Sequence, residues 1–112
     1  ALKITSLNTL TESDVSHNAQ IKKKVLVANG DIPHITYFSK AVFPPGELAN
    51  AHSHSDMTEV FFIESGTGTI TVNGDDIPLE AGMCITIEPL DIHELNNTGA
   101  TDLVVLYFGV ET

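Results

Sequence analysis

Short β-forming runs separated by glycine and proline dominate this sequence and constrain its fold more than any other feature. Four of the runs lie at residues 35–43, 67–72, 75–79 and 103–108. The first run has a period of two, which is typical of a strand. Its two alternating sets are Ile35, Tyr37, Ser39, Ala41 and Phe43, and Thr36, Phe38, Lys40 and Val42. Since no stretch long enough for a helix shows helical periodicity, the sequence predicts an all-β protein.

Turn signals divide these runs at places where a strand cannot continue. Pro44-Pro45-Gly46 ends the run at 35–43, because proline has no N–H to donate to a neighbouring strand. Asn73-Gly74 is the strongest short hairpin signal, since both residues tolerate positive φ. Tight turns also account for Gly66 and Gly82. About seven to ten short strands at such close spacing indicate a small sandwich or barrel.

The length of 112 residues, of which 42% are hydrophobic, fits one domain with a single core. Residues 1–23 are the least patterned part, and we expect them to form an irregular N-terminal arm on the surface or against a partner subunit. Residues 24–112 are expected to form the single β-barrel domain. Met83 and Cys84 fall in a run that reads as buried, where packing is the default role of both side chains.

The charge of the chain excludes several classes of partner. Fifteen acidic residues stand against 5 lysines and no arginine, so the formal net charge is −10. Neither a nucleic acid nor an anionic membrane is an expected partner, because both require a basic surface. No apolar run approaches the length of a membrane helix, and the N-terminus lacks the pattern of a signal peptide. With a single cysteine, these features favour a cytoplasmic protein.

Two histidines and a glutamate form the first candidate for chemistry. His52 and His54 are two residues apart, so on a strand both imidazoles project from one face and can reach one ion. Glu59 has the wrong parity for the same unbroken strand, which predicts a turn within residues 55–58. Beyond that turn, Phe61 shares a face with Glu59 and is expected to form an apolar wall beside it. Taken alone, the histidine pair also fits an exposed polar turn.

A second candidate lies further along the chain. Pro89 breaks a strand, and His93 begins the next one, where it would complete a set of three imidazoles and one carboxylate. Such a set is a common transition-metal site. His17 and His34 lie outside both motifs and are expected on the surface. Tyr37, Phe38 and Phe62 are expected in the core together with Phe61, with one or two of the four lining the pocket.

The spacing of these residues resembles the two motifs of the cupin family. The first motif, G-x5-H-x-H-x3–4-E-x6-G, is filled by Gly46, His52, His54, Glu59 and Gly66. The second, G-x5-P-x-G-x2-H-x3-N, is filled at Gly82, His93 and Asn97. Glu88 stands where this second motif has proline, and Leu90 stands where it has its second glycine. The resemblance covers residues 46–97.

The resemblance implies a conical jelly-roll β-barrel, also called a double-stranded β-helix. It further implies one metal ion inside the barrel, held by His52, His54, Glu59 and His93. Iron, manganese, nickel, zinc and copper are all compatible, because imidazole suits each of them. Family members commonly form homodimers, often with an exchanged N-terminal strand, and residues 25–28 and the arm before them are the candidates here.

Two classes of function remain open at the level of sequence. The first is an enzyme, most often a metal-dependent dioxygenase in cupins with these ligands, in which Glu59 would leave the metal and serve as a base. The second is a non-catalytic module that binds or senses a small ligand. The absence of arginine weakens a third hypothesis, a phosphosugar isomerase or epimerase, and a decarboxylase ranks below an oxidising enzyme. Lys40 is the one cation beyond residue 24, so we expect a neutral or metal-chelating ligand contacting Phe61, with Lys40 at most assisting an anion.

Overall fold

The computed structural model describes residues 1–16 and 18–112. In that part of the chain it contains strands and no helix. This confirms the predicted all-β class. The strands are β1 (Ser13–Val15), β2 (Asn18–Val27), β3 (Ile35–Phe43), β4 (Leu48–His52), β5 (Met57–Ser65), β6 (Gly68–Val72), β7 (Asp75–Leu79), β8 (Cys84–Ile87), β9 (His93–Asn96) and β10 (Leu103–Glu111). In the described part of the chain, no helix is long and apolar enough to cross a membrane.

The strands form two antiparallel sheets that enclose one core. One sheet has the order β1-β2-β3-β10-β5-β8, and the other has the order β4-β9-β6-β7. Fully buried side chains come from both, including Ile63 on β5, Ile70 on β6 and Leu103 on β10. The alternation of buried and less buried residues along β5 and β10 follows the two-residue period of a strand that packs on one face.

The hairpin and turn predictions agree with the structure. β6 and β7 pair across Asn73-Gly74, and both residues have positive φ. The chain bends at residues 55–56 before β5 begins, inside the predicted window of 55–58. His34 is exposed, as expected. His17, for which a surface position was also expected, lies outside the described residues.

The expectation of an irregular arm over residues 1–23 is wrong for its second half. β2 begins at Asn18 and pairs with β3, and β1 pairs in turn with β2. The physical reason is Ile21, which is fully buried and anchors the start of β2 in the core. The division into residues 1–23 and 24–112 stays a prediction, but one continuous strand runs across it.

The expectation of burial is also wrong for Cys84 and Phe62, which are both exposed. They face each other in the pairing of β5 with β8 and therefore share the outer face of the sheet. Ile87, on the opposite face of β8, is buried instead. The run of β-formers identified the strand, but a continuous apolar run does not show which face turns inward.

Gly66 occupies a turn that no other residue fits. Its φ is +88°, and a Cβ atom placed on it would lie 2.3 Å from the carbonyl oxygen of Asp102 and 2.9 Å from the Cα of Leu103. Gly74 has nearly the same φ, +87°, but open space around it. The two glycines therefore separate the cost of a left-handed backbone from the cost of a backbone collision.

We expect Gly74→Ala to lower the free energy of unfolding by about 1–2 kcal/mol, the cost of a Cβ at positive φ. Gly66→Ala should lower it by about 3 kcal/mol or more, because β5 and the start of β10 must also separate. Chemical denaturation of both variants measures the difference. Equal losses would show that the backbone at residues 102–103 moves aside freely.

Candidate metal centre

Three strands and one loop bring a cluster of ligand-type side chains together at the wall of the barrel. His52 ends β4, His54 lies in the loop that follows, Glu59 is on β5, and His93 begins β9. One potential ligand atom from each of the four lies within 4.8 Å of the others. This spacing is near that of ligands around one metal ion, which lie roughly 3–4 Å apart when metal–ligand bonds are about 2.0–2.2 Å.

The pairing of β4 with β9 explains how distant residues meet. His52 and His93 are register partners across these strands, and their ring centroids are 4.3 Å apart. The expectation that His52 and His54 share a strand face is wrong, because β4 ends at His52. His54 reaches the cluster from the loop, where its carbonyl oxygen accepts a hydrogen bond of 2.7 Å from the N–H of Leu90.

Hydrogen bonds to the backbone determine which nitrogen of two histidines is free. Nδ1 of His52 lies 2.8 Å from the carbonyl oxygen of Asn50, and Nδ1 of His93 lies 3.0 Å from that of Asp91. A carbonyl oxygen only accepts, so each Nδ1 carries the proton. In the neutral rings, Nε2 therefore keeps its lone pair, which is the form in which histidine binds a metal.

The buried polar atoms of the cluster lack hydrogen-bond partners. Oε1 of Glu59 is 3.1 Å from Nε2 of His93 and 3.2 Å from Nε2 of His54, and none of the three atoms makes a hydrogen bond to a described residue. Glu59 is 3% exposed and His93 is 1% exposed. Nε2 of neutral His93 faces this carboxylate oxygen with a lone pair and repels it, and a cation bound by both atoms removes the repulsion. The residues present thus fit a metal ion.

The pKa shifts of Glu59 and His93 are consistent with a cation bound between them. Burial alone would raise the pKa of Glu59, but His93, the Tyr37 hydroxyl and His54 together lower it, so the group is a carboxylate at neutral pH. Burial alone would lower the pKa of His93, but Glu59 and the carbonyl of Asp91 raise it. A proton and a metal ion therefore compete for Nε2 of His93.

Tyr37 contacts the centre directly, although the sequence indicated only a core or pocket-lining role. Its hydroxyl donates a hydrogen bond to Oε2 of Glu59, which leaves Oε1 to face the histidines. Burial and the charge of Glu59 raise the pKa of Tyr37, so it stays protonated as a donor. The alternation of the run at 35–43 already placed residues 37, 39 and 41 on one face, but did not show what that face contacts.

The cluster opens into a cavity of about 420 Å³ whose walls are largely apolar. Phe61 lines it, where the sequence predicted it, and stacks on Tyr107 at a centroid distance of 5.6 Å. Burial raises the pKa of Tyr107 to about 12. Leu95 and Val105 contribute further apolar wall. A cavity of this volume holds a small molecule.

Lys40 does not lie in this cavity, contrary to the prediction. Its ammonium is 2.9 Å from the carboxylate of Glu64, on the outer face of β3. Ser39 and Ala41, its neighbours in the strand, are buried on the inner face. The lysine that lines the cavity is Lys23 on β2, which the sequence placed in the irregular arm.

The turn before His93 keeps its geometry despite the two departures from the family motif. Leu90 adopts φ +74° with a side chain that is 68% exposed, so leucine takes up the left-handed backbone expected of glycine. The N–H of Glu88 donates to Oδ2 of Asp91 at 3.0 Å, and the N–H of Asp91 donates to the carbonyl of Glu88 at 3.1 Å. These bonds close the turn without the proline of the motif.

Comparison with known proteins agrees with this geometry. Residues 39–109 match a family model described as a cupin domain. An oxalate-binding protein of Thermotoga maritima is 35% identical over 69 residues, which cover 62% of this chain and 57% of that protein. The chain thus spans a little over half the length of this curated relative.

Solved structures show the same architecture over nearly the whole chain. A structure described as a "predicted oxalate decarboxylase" from Thermotoga maritima gives a TM-score of 0.89 at 24% identity, covering 99% of this chain and 100% of the other. An RmlC-like cupin from Shewanella frigidimarina gives 0.81 at 16% identity, covering 100% and 93%. At these identities the likeness shows the fold alone, and it confirms the predicted jelly-roll barrel.

We expect His52→Ala to weaken binding of a divalent transition metal by at least about 100-fold. Removing a residue that binds the metal directly should lower the affinity more than removing a residue that only supports a ligand, which costs about 10–100-fold. His52 is exposed, so the barrel should fold normally without it. His34→Ala, which removes an exposed histidine far from the cluster in sequence, is the matched control. Metal content after dialysis and a metal titration measure the effect. Equal metal retention by both variants would contradict the assignment of His52.

We expect Tyr37→Phe to weaken metal binding by about 10-fold, because Glu59 loses the donor that orients its two oxygens. Tyr107→Phe removes a hydroxyl from the same cavity and should leave the metal affinity within about twofold of the wild type. A metal titration of the two variants at one pH provides the comparison. Matching affinities for Tyr37→Phe and wild type would show that the hydroxyl is not needed to position the carboxylate.

Proposed function

The chain belongs to the cupin family, and from that premise we propose that its cavity holds one divalent transition-metal ion and binds a small chelating molecule at it. The observation that carries this proposal is the set of buried, unpartnered atoms on His54, Glu59 and His93. Such atoms persist in a stable protein when a bound group satisfies them.

The metal would be held by His52, His54, Glu59 and His93. Three imidazole nitrogens and one carboxylate oxygen suit iron, manganese, nickel, zinc and copper, and the donor set favours none of them strongly. When bound, such an ion supplies Lewis acidity and, for the redox-active metals, electron exchange with a ligand. The chain itself supplies an apolar wall that limits water and one hydroxyl, from Tyr37, that fixes the carboxylate.

The size and lining of the cavity support a small ligand. Four protein donors leave open positions on a metal that takes six ligands, and two oxygens of one small molecule fill such positions well. The name of the relative from Thermotoga maritima, an oxalate-binding protein, supports the same conclusion, since oxalate is a small chelating dicarboxylate. The cavity and the name of this relative thus support binding of a small chelating molecule.

Oxidation of the ligand by dioxygen is a second proposal. Among the residues that line the described cavity, Glu59 is the one carboxylate, so it is the group that would act as a base if the ligand must lose a proton. Phosphosugar isomerisation has weaker support, because the chain has no arginine for a phosphate. No geometry at the site favours decarboxylation over oxidation.

Homodimer formation and a cytoplasmic location remain predictions. β1 and β8 form the two edges of the larger sheet, and an unpaired edge can extend into the sheet of a second copy. This edge geometry supports a dimer in which an edge strand of one copy extends a sheet of the other.

Calorimetric titration of metal-loaded protein with oxalate tests the main proposal. We expect one oxalate per chain, no binding after the metal is removed with a chelator, and fumarate to bind at least about tenfold more weakly because its carboxylates cannot reach one ion. Protein that retains no metal, or that binds oxalate equally well without metal, would overturn the proposal. Oxygen uptake by the iron-loaded protein with enols, diols and phenols tests oxidation, and a complete lack of uptake contradicts it.

A further inference from the structure

Lys23 lies on the inner face of the barrel although it stands between two lysines that point outward. In the pairing of β2 with β3, Lys23 is the partner of Ala41, which is 2% exposed. Directly opposed residues in an antiparallel pair project from the same face, so Lys23 faces inward with Ala41. Lys22 and Lys24 project from the other face. Consistent with this, Lys23 lines the cavity that contains the histidine–glutamate cluster.

The other four lysines are occupied on the outer surface. Lys22 is 2.6 Å from Asp14, Lys40 is 2.9 Å from Glu64, and Lys3 is 3.5 Å from Asp31. The ammonium of Lys24 donates to the carbonyl oxygen of Leu7 at 2.6 Å. Within residues 1–16 and 18–112, Lys23 makes neither a side-chain hydrogen bond nor an ion pair. Among the described residues, Lys23 is therefore the lysine that lines this cavity, and it has no partner there.

The charge of the cavity differs from that of the rest of the protein. Two charged residues besides the histidines line the cavity in the described part of the chain: Lys23 and Glu59. Their charges cancel. The formal net charge of −10 consequently resides on the remainder of the chain. A divalent ion bound beside Glu59 would make the cavity positive inside a strongly acidic protein. Such a site attracts an anion, whereas the exterior repels it.

We infer that Lys23 binds a carboxylate of the ligand and that the ligand is a small anionic chelator, such as a dicarboxylate or an oxo- or hydroxycarboxylate. The inference rests on the proposed function, since the metal would bind the chelating oxygens of the ligand. Lys23 would then pair with the negative charge of the ligand that the metal does not neutralise. An ammonium that is partly shielded from water, against an apolar wall, attracts an anion more strongly than one on the surface. Of the two ligand types expected from the sequence, neutral or metal-chelating, this inference favours the chelating one and adds that it carries negative charge.

Lys23→Gln tests this inference with three ligands of one skeleton: oxalate, oxamate and oxamide, which carry two, one and no negative charges. For metal-loaded protein we expect the variant to bind oxalate about tenfold more weakly than the wild type, the effect of losing one charge-assisted hydrogen bond. The variant should also bind oxamate more weakly than the wild type does, because oxamate keeps one carboxylate. Binding of neutral oxamide should change by less than about twofold, because it presents no anionic group to the ammonium.

Two further variants control the comparison. Lys22→Gln removes the same charge from the outer face one residue away and should leave all three affinities unchanged. Lys23→Arg keeps the positive charge and should recover most of the oxalate affinity. Thermal melting shows whether each variant is folded before its affinity is interpreted.

Metal content measured in the same samples separates this inference from the proposed function. Protein that never retains metal fails the proposed function. Protein that retains metal but binds oxalate equally well as wild type and as Lys23→Gln overturns the role of Lys23 alone. Equal losses for oxalate and oxamide would also overturn it, because they would indicate a change of cavity shape and not of charge. Metal-loaded wild type that binds no oxalate overturns both.

Discussion

The buried carboxylate of Glu59 is the constraint around which this barrel is organised. It stands in a row of apolar residues on β5, between Met57 and Phe61, where an unpaired charge is strongly unfavourable. The hydroxyl of Tyr37 satisfies one of its oxygens, and the other faces Nε2 of His93, which offers no proton when that ring is neutral. A cation at this point would offset the cost of burying this carboxylate and would link the two sheets through the residues that hold it.

The loop around Leu90 shows how the two motif segments are joined. Leucine in a left-handed conformation costs about 1–2 kcal/mol, yet the N–H of Leu90 donates to the carbonyl of His54 and so holds the loop of the first motif against the turn of the second. Asp91 closes that turn from both its side chain and its backbone N–H, and its carbonyl fixes the ring of His93. The local strain is thus compensated by the ordering of two histidines at once.

The distribution of charge has a different meaning once the cavity is located. In the sequence, the acidic excess excludes nucleic acids and anionic membranes as partners. In the folded protein, the described lining of the cavity contains one acid and one lysine, so the excess belongs to the exterior. An acidic exterior aids solubility, and a divalent ion in the cavity would make the interior locally positive and favour anions among small molecules. The two properties coexist because the barrel wall separates them.

The sequence by itself determined the all-β class and the hairpin at Asn73-Gly74, because periodicity and turn residues are local properties. The grouping of His52, His54, Glu59 and His93 followed from the resemblance of two separate motifs to one family, since His93 is distant from the other three along the chain. Tertiary structure decided which face of each strand turns inward. A period of two has two equivalent phases, so Lys40 and Cys84 came to lie on the outer face, and Lys23, expected in an irregular arm, came to line the cavity. It also decided that Tyr37 meets Glu59, since strands distant in sequence become neighbours only when β10 lies between β3 and β5.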